Sequence, residues 1–125
     1  MDSSRVFLIL GALNAALAVG FGAFGAHALK ARLTETDLDI FQTACQYHFY
    51  HALGLLIIGL LVATHPGSGL VKISGWIMFA GMILFSGSLY ALVLTQYRWL
   101  GAVTPLGGTA FIIAWICLLT GVIKS

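Results

Sequence analysis

Long apolar runs alternate with short polar interruptions along this chain, and where the interruptions fall sets its architecture. Charged residues leave four uncharged stretches, Val6 to Leu29, Ile40 to Val71, Ile73 to Tyr97 and Trp99 to Ile123. A hydrocarbon core about 30 Å thick needs roughly 20 apolar residues in a helix rising about 1.5 Å per residue, so each stretch crosses once and none comfortably twice. The pattern predicts an all-α integral membrane four-helix bundle. It forms one domain, with approximate spans 5–28, 42–64, 70–94 and 100–123, and both termini on the same side.

The interruptions place the turns. The first run ends in small residues, as a cleavable signal peptide would. It is, however, as long as a span, Asp2 spoils a basic start, and three more spans need a partner, so Arg5 to about Ala28 is read as helix 1. The one charged segment, between Lys30 and Gln46, holds Lys30, Arg32, Glu35, Asp37 and Asp39. Thr36 followed by Asp39 fits a threonine N-cap with an acid three residues on, which puts the start of helix 2 near Thr36 or Asp37. Leu38, Phe41, Cys45 and Phe49 then recur at helical spacing opposite Asp39 and Gln46, an amphipathic start whose first turns lie at the interface. His65, Pro66, Gly67, Ser68 and Gly69 break the chain before helix 3. Gln96, Tyr97, Arg98 and Trp99 have the composition of a headgroup level, and helix 4 starts at Leu100, or at Thr104 with Pro105 in its first turn.

Composition agrees and narrows the function. A hydrophobic content of 60%, a charged content of 8% and a mean hydropathy of +1.01 exclude a soluble catalytic domain or a nucleotide-binding α/β fold. The net charge of +2 comes from basic residues at span ends, not from a patch that would hold nucleic acid. Arg5, Lys72 and Lys124 on one side balance Lys30, Arg32 and Arg98 on the other, so the positive-inside rule assigns no orientation. Cys45 and Cys117 fall on different helices, which makes neither a disulfide framework nor a zinc site.

Several polar residues fall inside the spans. Asn14, Ser86, Ser88 and Thr109 are deep enough that each needs an internal partner, and bonds between helices are the ordinary solution. Gly11 with Ala15, Ala18 with Gly22, Gly59 with Ala63 and Gly87 with Ala91 repeat small residues at four-residue spacing, which lets backbones approach closely. His48 and His51 follow Cys45 along one side of helix 2, and His27 ends helix 1 at the same membrane side. Such histidines serve as structural hydrogen-bonding groups, as ligands of haem or a metal, or as a proton relay. Every acid lies outside the predicted hydrocarbon zone, which disfavours a proton-coupled antiporter, and no hydrolase triad, zinc-protease motif or phosphate loop is present.

Gly22-Ala-Phe-Gly-Ala-His-Ala-Leu-Lys30, Tyr47 and His48 with His51-Ala-Leu-Gly54, Phe85-Ser-Gly-Ser-Leu-Tyr90 and Thr104-Pro-Leu-Gly-Gly108 together extend over most of the chain. In combination they resemble the YgdD-like family of small membrane proteins (DUF423), which includes transmembrane protein 256. The resemblance implies a small multi-pass protein of the bacterial cytoplasmic membrane. It offers His27, His48, His51, Ser86, Ser88, Tyr90, Thr104 and Pro105 as candidate site positions.

The reading that follows is a non-enzymatic interaction or assembly component, surrounded by lipid and forming homo-oligomers, with a polar site of His27, His48 and His51 near one interface. No cofactor is predicted. A haem or metal held by those three histidines, in a haem- or quinone-linked redox component, is one alternative. The other is a small oligomeric channel or transporter with Asn14, Ser86, Ser88 and Thr109 along its path.

Overall fold

The computed structural model describes residues 2–125. Four helices long and apolar enough to cross a membrane account for nearly all of them: α1 (Ser3–Leu29), α2 (Glu35–Thr64), α3 (Gly69–Thr95) and α4 (Arg98–Lys124). The helix starts are capped as their sequences allow. The Asp2 carboxylate accepts from the Arg5 amide at 2.9 Å, and the Ser68 hydroxyl accepts from the Val71 amide at 3.3 Å. At α2 the structure corrects the expected cap. Thr34, not Thr36, accepts from the Asp37 amide at 3.1 Å, so the helix begins at Glu35. Two overlapping Thr-x-x-Asp patterns compete here, and the first wins because Asp37 is also held from across the bundle. Both expectations for α4 hold in part. Arg98–Ala102 forms a 3₁₀ turn, and the α-helical stretch Thr104–Lys124 carries Pro105 in its first turn.

α2 is the central helix, packed against α1 and α3 along its length, while α3 and α4 lie side by side. The main core joins Phe7 of α1, Ala52, Leu55 and Ile58 of α2, Val71 and Met78 of α3, and Ala114 of α4, all fully buried. A second cluster, Phe41, Cys45, Leu92 and Val93, closes the end nearer the charged segment. Water does not drive helices together inside a bilayer, so close backbone contact must do so. A side chain at Gly11 would meet the Ala52 carbonyl and Leu56 of α2, and one at Gly107 would overlap the Phe85 backbone of α3. These are the places where α1 meets α2 and where α3 meets α4.

Two helices are interrupted by a wider turn. Phe21–Gly25 in α1 and Ile83–Gly87 in α3 are π-helical turns. Nothing in the hydrophobic spacing announces them, because each inserts one extra residue without interrupting the apolar run. Their loosened hydrogen bonding is partly repaired by a side chain: the Ser88 hydroxyl donates to the Phe85 carbonyl at 2.9 Å.

Candidate functional site

Asn14, His48 and Tyr90 come from three different helices and meet at one place. His48 Nε2 lies 2.9 Å from Asn14 Oδ1, and His48 Nδ1 lies 2.9 Å from the Tyr90 hydroxyl. The neighbours decide which group donates. Asn14 Nδ2 donates to the Leu10 carbonyl at 2.8 Å, so the amide turns its oxygen to the imidazole. His48 therefore donates from Nε2 to Asn14, and Nδ1 accepts from the Tyr90 hydroxyl, a fully used neutral imidazole. His48 is buried, and Phe21 from the first π turn packs edge-on to Tyr90 with ring centres 5.2 Å apart.

This centre lies in a groove between α1 and α3. The two helices touch where Phe7 packs on Trp76, with ring centres 5.0 Å apart, and again where Phe21 meets Tyr90. The resulting cleft holds about 220 Å³, with Asn14, Phe21, His48, Ser86, Gly87 and Tyr90 among its walls. Phe21 and Tyr90 also border a second hollow of about 360 Å³, lined by Gly25, Ala28, Leu29, Phe41 and Leu94, so the two adjoin at these rings. The second hollow is wholly apolar. Both π turns border the groove, a position in which such turns are frequently functional.

The other candidates fall elsewhere. His51 faces α4: its Nδ1 donates to the Tyr47 carbonyl at 2.8 Å, and its Nε2 accepts from Trp115 Nε1 at 3.1 Å. Its ring stacks on Phe111, with centres 3.5 Å apart and planes 7° from parallel. His27 is exposed near the end of α1. The three histidines therefore do not converge, and among the described residues no three His, Cys, Asp or Glu side chains are placed to hold a metal ion. Both ring nitrogens of His48 and of His51 are occupied by protein partners, so the arrangement does not fit haem or metal ligation at these histidines.

Ser86 donates to the Ala44 carbonyl at 2.8 Å, fastening α3 to α2, and Ser88 meets Thr104 of α4 at 2.6 Å. Within the Ser86 to Tyr90 run, a Cβ built at Gly87 would meet nothing within 4 Å. Thr109 does not make the expected contact between helices. It is exposed and donates to the Pro105 carbonyl of its own helix at 2.9 Å, the usual refuge of a hydroxyl facing lipid.

Sequence reasoning missed the one ion pair among the described residues. Arg98 holds both oxygens of Asp37, at 2.8 and 3.0 Å, and Gln96 donates to the same carboxylate at 3.0 Å. Gln96 stops α3 in the left-handed conformation, with φ 65°, which turns its amide onto Asp37. Asp37 looked like one more acid in a charged segment; its position three residues after Thr34 was the available signal. It sits in the interfacial first turn of α2, where the Arg98 guanidinium, and then Gln96, hold its carboxyl below the usual carboxylate range. A depressed acid adds stability above its unfolded value near 3.8 and loses it as the pH falls through the folded value. Wild-type protein in detergent is therefore expected to lose thermal stability below about pH 4. Asp37→Asn is expected to start lower and show a flatter acid limb, and parallel limbs in a pH series of melting curves would refute this role.

Comparison with known proteins places the chain. A family model described as "Protein of unknown function (DUF423)" matches residues 21–108. The chain is similar to the UPF0382 membrane protein YwdK of Bacillus subtilis, at 54% identity with 96% of this chain and 98% of that protein covered. It is similar also to the UPF0382 membrane protein SERP0230 of Staphylococcus epidermidis, at 52% identity with 96% and 97% covered. A third relative, the UPF0382 membrane protein SH2409 of Staphylococcus haemolyticus, is 47% identical with 96% and 97% covered. No solved structure matches the chain. Four apolar helices, a family match over most of the sequence and relatives that align nearly end to end agree: this chain belongs to the DUF423 family of multi-pass membrane proteins.

Proposed function

We propose that the protein is a non-enzymatic membrane component that holds a single-chain amphiphile in the groove between α1 and α3, with its polar group at Asn14, His48 and Tyr90. The supporting observation is a hydrogen-bonded centre at the end of an otherwise apolar, lipid-facing groove. A helix with its side chains is about 10–12 Å across and does not enter hollows of this volume, whereas one acyl or isoprenoid chain does. The Tyr90 and Asn14 oxygens keep unused lone pairs and Asn14 Nδ2 keeps one N–H, which suits a guest with a single hydroxyl or carbonyl. The neutral imidazole has no acid beside it to exchange a proton, so binding fits the centre better than proton transfer.

Native mass spectrometry of gently purified protein tests this reading. The wild type is expected to carry one stoichiometric amphiphile distinct from bulk lipid. Ala28→Trp, which fills the apolar hollow from an exposed position, is expected to abolish its retention, and Tyr90→Phe to reduce it several-fold. A wild type carrying only bulk lipid, or an Ala28→Trp variant that retains the guest in full, would overturn the proposal.

A further inference from the structure

We infer that the outward face of α2 is the seam of a parallel homodimer, in which the α2 helices of two copies pair through Thr43, Gln46, Tyr50, Leu53, Ile57 and Leu60. These positions alternate by three and four residues, the 3.5-residue period of a left-handed helix pair. All but the half-buried Thr43 are exposed in the single chain. An apolar stripe in that pattern would be ordinary lipid-facing surface. Here the half nearer the charged segment is polar, and it continues into the membrane. With the span beginning near residue 42, Gln46 and Tyr50 lie about 6 and 12 Å along the axis below its start.

The polar side chains on this face have no partner within the chain. Asn14, Ser86 and Ser88 bond across helices, and Thr109 bonds its own helix, yet the side chains of Thr43, Gln46 and Tyr50 make no hydrogen bond among the described residues. Lipid tails supply no donors or acceptors, so such groups at depth call for a protein partner. The chemistry of the row selects a second copy. A primary amide is both donor and acceptor, so Gln46 facing its own image across a two-fold axis satisfies both halves, and polar side chains in apolar seams fix register in this way. Copies inserted in the same direction bring their α2 helices together in parallel. Asp39, at the water level above the row, keeps its charge solvated and screened from its counterpart. Below Tyr50 the aliphatic Leu53, Ile57 and Leu60 complete a seam about 26 Å long, most of the bilayer core's thickness. This face is separate from the α1–α3 groove, so the inference does not rest on the amphiphile proposal.

The test is cysteine cross-linking of the full chain in lipid vesicles, in a Cys45→Ala, Cys117→Ala background. Single cysteines replace Gln46, Leu53 or Leu60 on the seam, and Ile9 or Ile112 on the exposed faces of α1 and α4. Seam positions are expected to cross-link at least about fivefold faster than the controls. In a dilution series read by energy transfer between labelled copies, Gln46→Leu is expected to raise the dissociation constant about two- to threefold. Because Gln46 is exposed, the monomer's helix content should not change. A monomer at every protein-to-lipid ratio, dimers cross-linked through Ile9 or Ile112 instead, or an unchanged dissociation constant for Gln46→Leu would each overturn the inference.

Discussion

Replacing Gly107 with leucine is expected to separate α3 from α4 and to be the most damaging single change on any exposed or interfacial helix surface. A Cβ at this position would overlap the Phe85 amide nitrogen, Cα and Cβ, and backbone in the middle of a helix cannot swing aside as the end of a side chain can. Overpacking a well-filled contact costs about 1–3 kcal/mol and occasionally more, and a larger side chain against backbone belongs at the upper end, about 3 kcal/mol. The neighbouring Ser88 to Thr104 bond, on the same α3–α4 contact, is expected to break with it. Gly20 supplies the control. Nothing lies within 4 Å of a Cβ built there, and Gly20→Ala inside a helix should be neutral or stabilise by up to about 1 kcal/mol. Thermal melts of the variants in the same detergent decide the matter: equal midpoints for Gly107→Leu and wild type would show that the α3–α4 approach is looser than described.

His48→Leu is expected to have the second largest effect, about 2–3 kcal/mol. Leucine has no hydrogen-bonding groups, so the change removes two bonds between helices, each worth about 1–2 kcal/mol at most in a membrane, and strands Asn14 Oδ1 and the Tyr90 hydroxyl. Glutamine, with an N–H and a carbonyl on one side chain, is expected to restore part of the loss by bridging the same two groups. Once His48 is leucine, Asn14→Leu and Tyr90→Phe should cost little more, because partners in one network are not additive. Denaturant titration of the single and double variants measures this, and fully additive losses would show that the three residues act separately.

How much of this was legible in the sequence depends on the range of the interaction concerned. Spans and turns could be read because charge spacing and breaker residues such as Pro66 and Gly67 act locally. Asn14 could be singled out as a polar group at depth, His48 by its spacing from Cys45 and His51, and Tyr90 by the motif it closes, but their grouping could not. Which side chains meet depends on the rotation of each helix about its axis, and the two π turns alter that rotation unannounced. The same uncertainty placed His27 and His51 beside His48, whereas His27 faces outward and His51 turns to Trp115. At the start of α2 the sequence pointed to Thr36 as the cap, whereas Thr34 caps the helix through Asp37, a residue that the distant Arg98 also binds. Thr109 lay at a plausible depth for a contact between helices, but its direction follows from the packing of α4.

The π turn Ile83–Gly87 has a consequence in the arithmetic of insertions and deletions. It holds one residue more than an α-helix of the same path requires, so losing a single residue there would restore regular winding without shortening the span. Side chains on either side of the turn would therefore keep their facings, whereas a deletion in the regular α-helical part of α3 turns every later side chain by about 100°. Lost between Ser88 and Tyr90, a residue would carry the tyrosine position off His48 while Ser74 and Met78 kept their places in the core. In this part of the chain the place of a lost residue, which hydropathy would scarcely register, separates a helix that completes the polar centre from one that merely crosses the membrane.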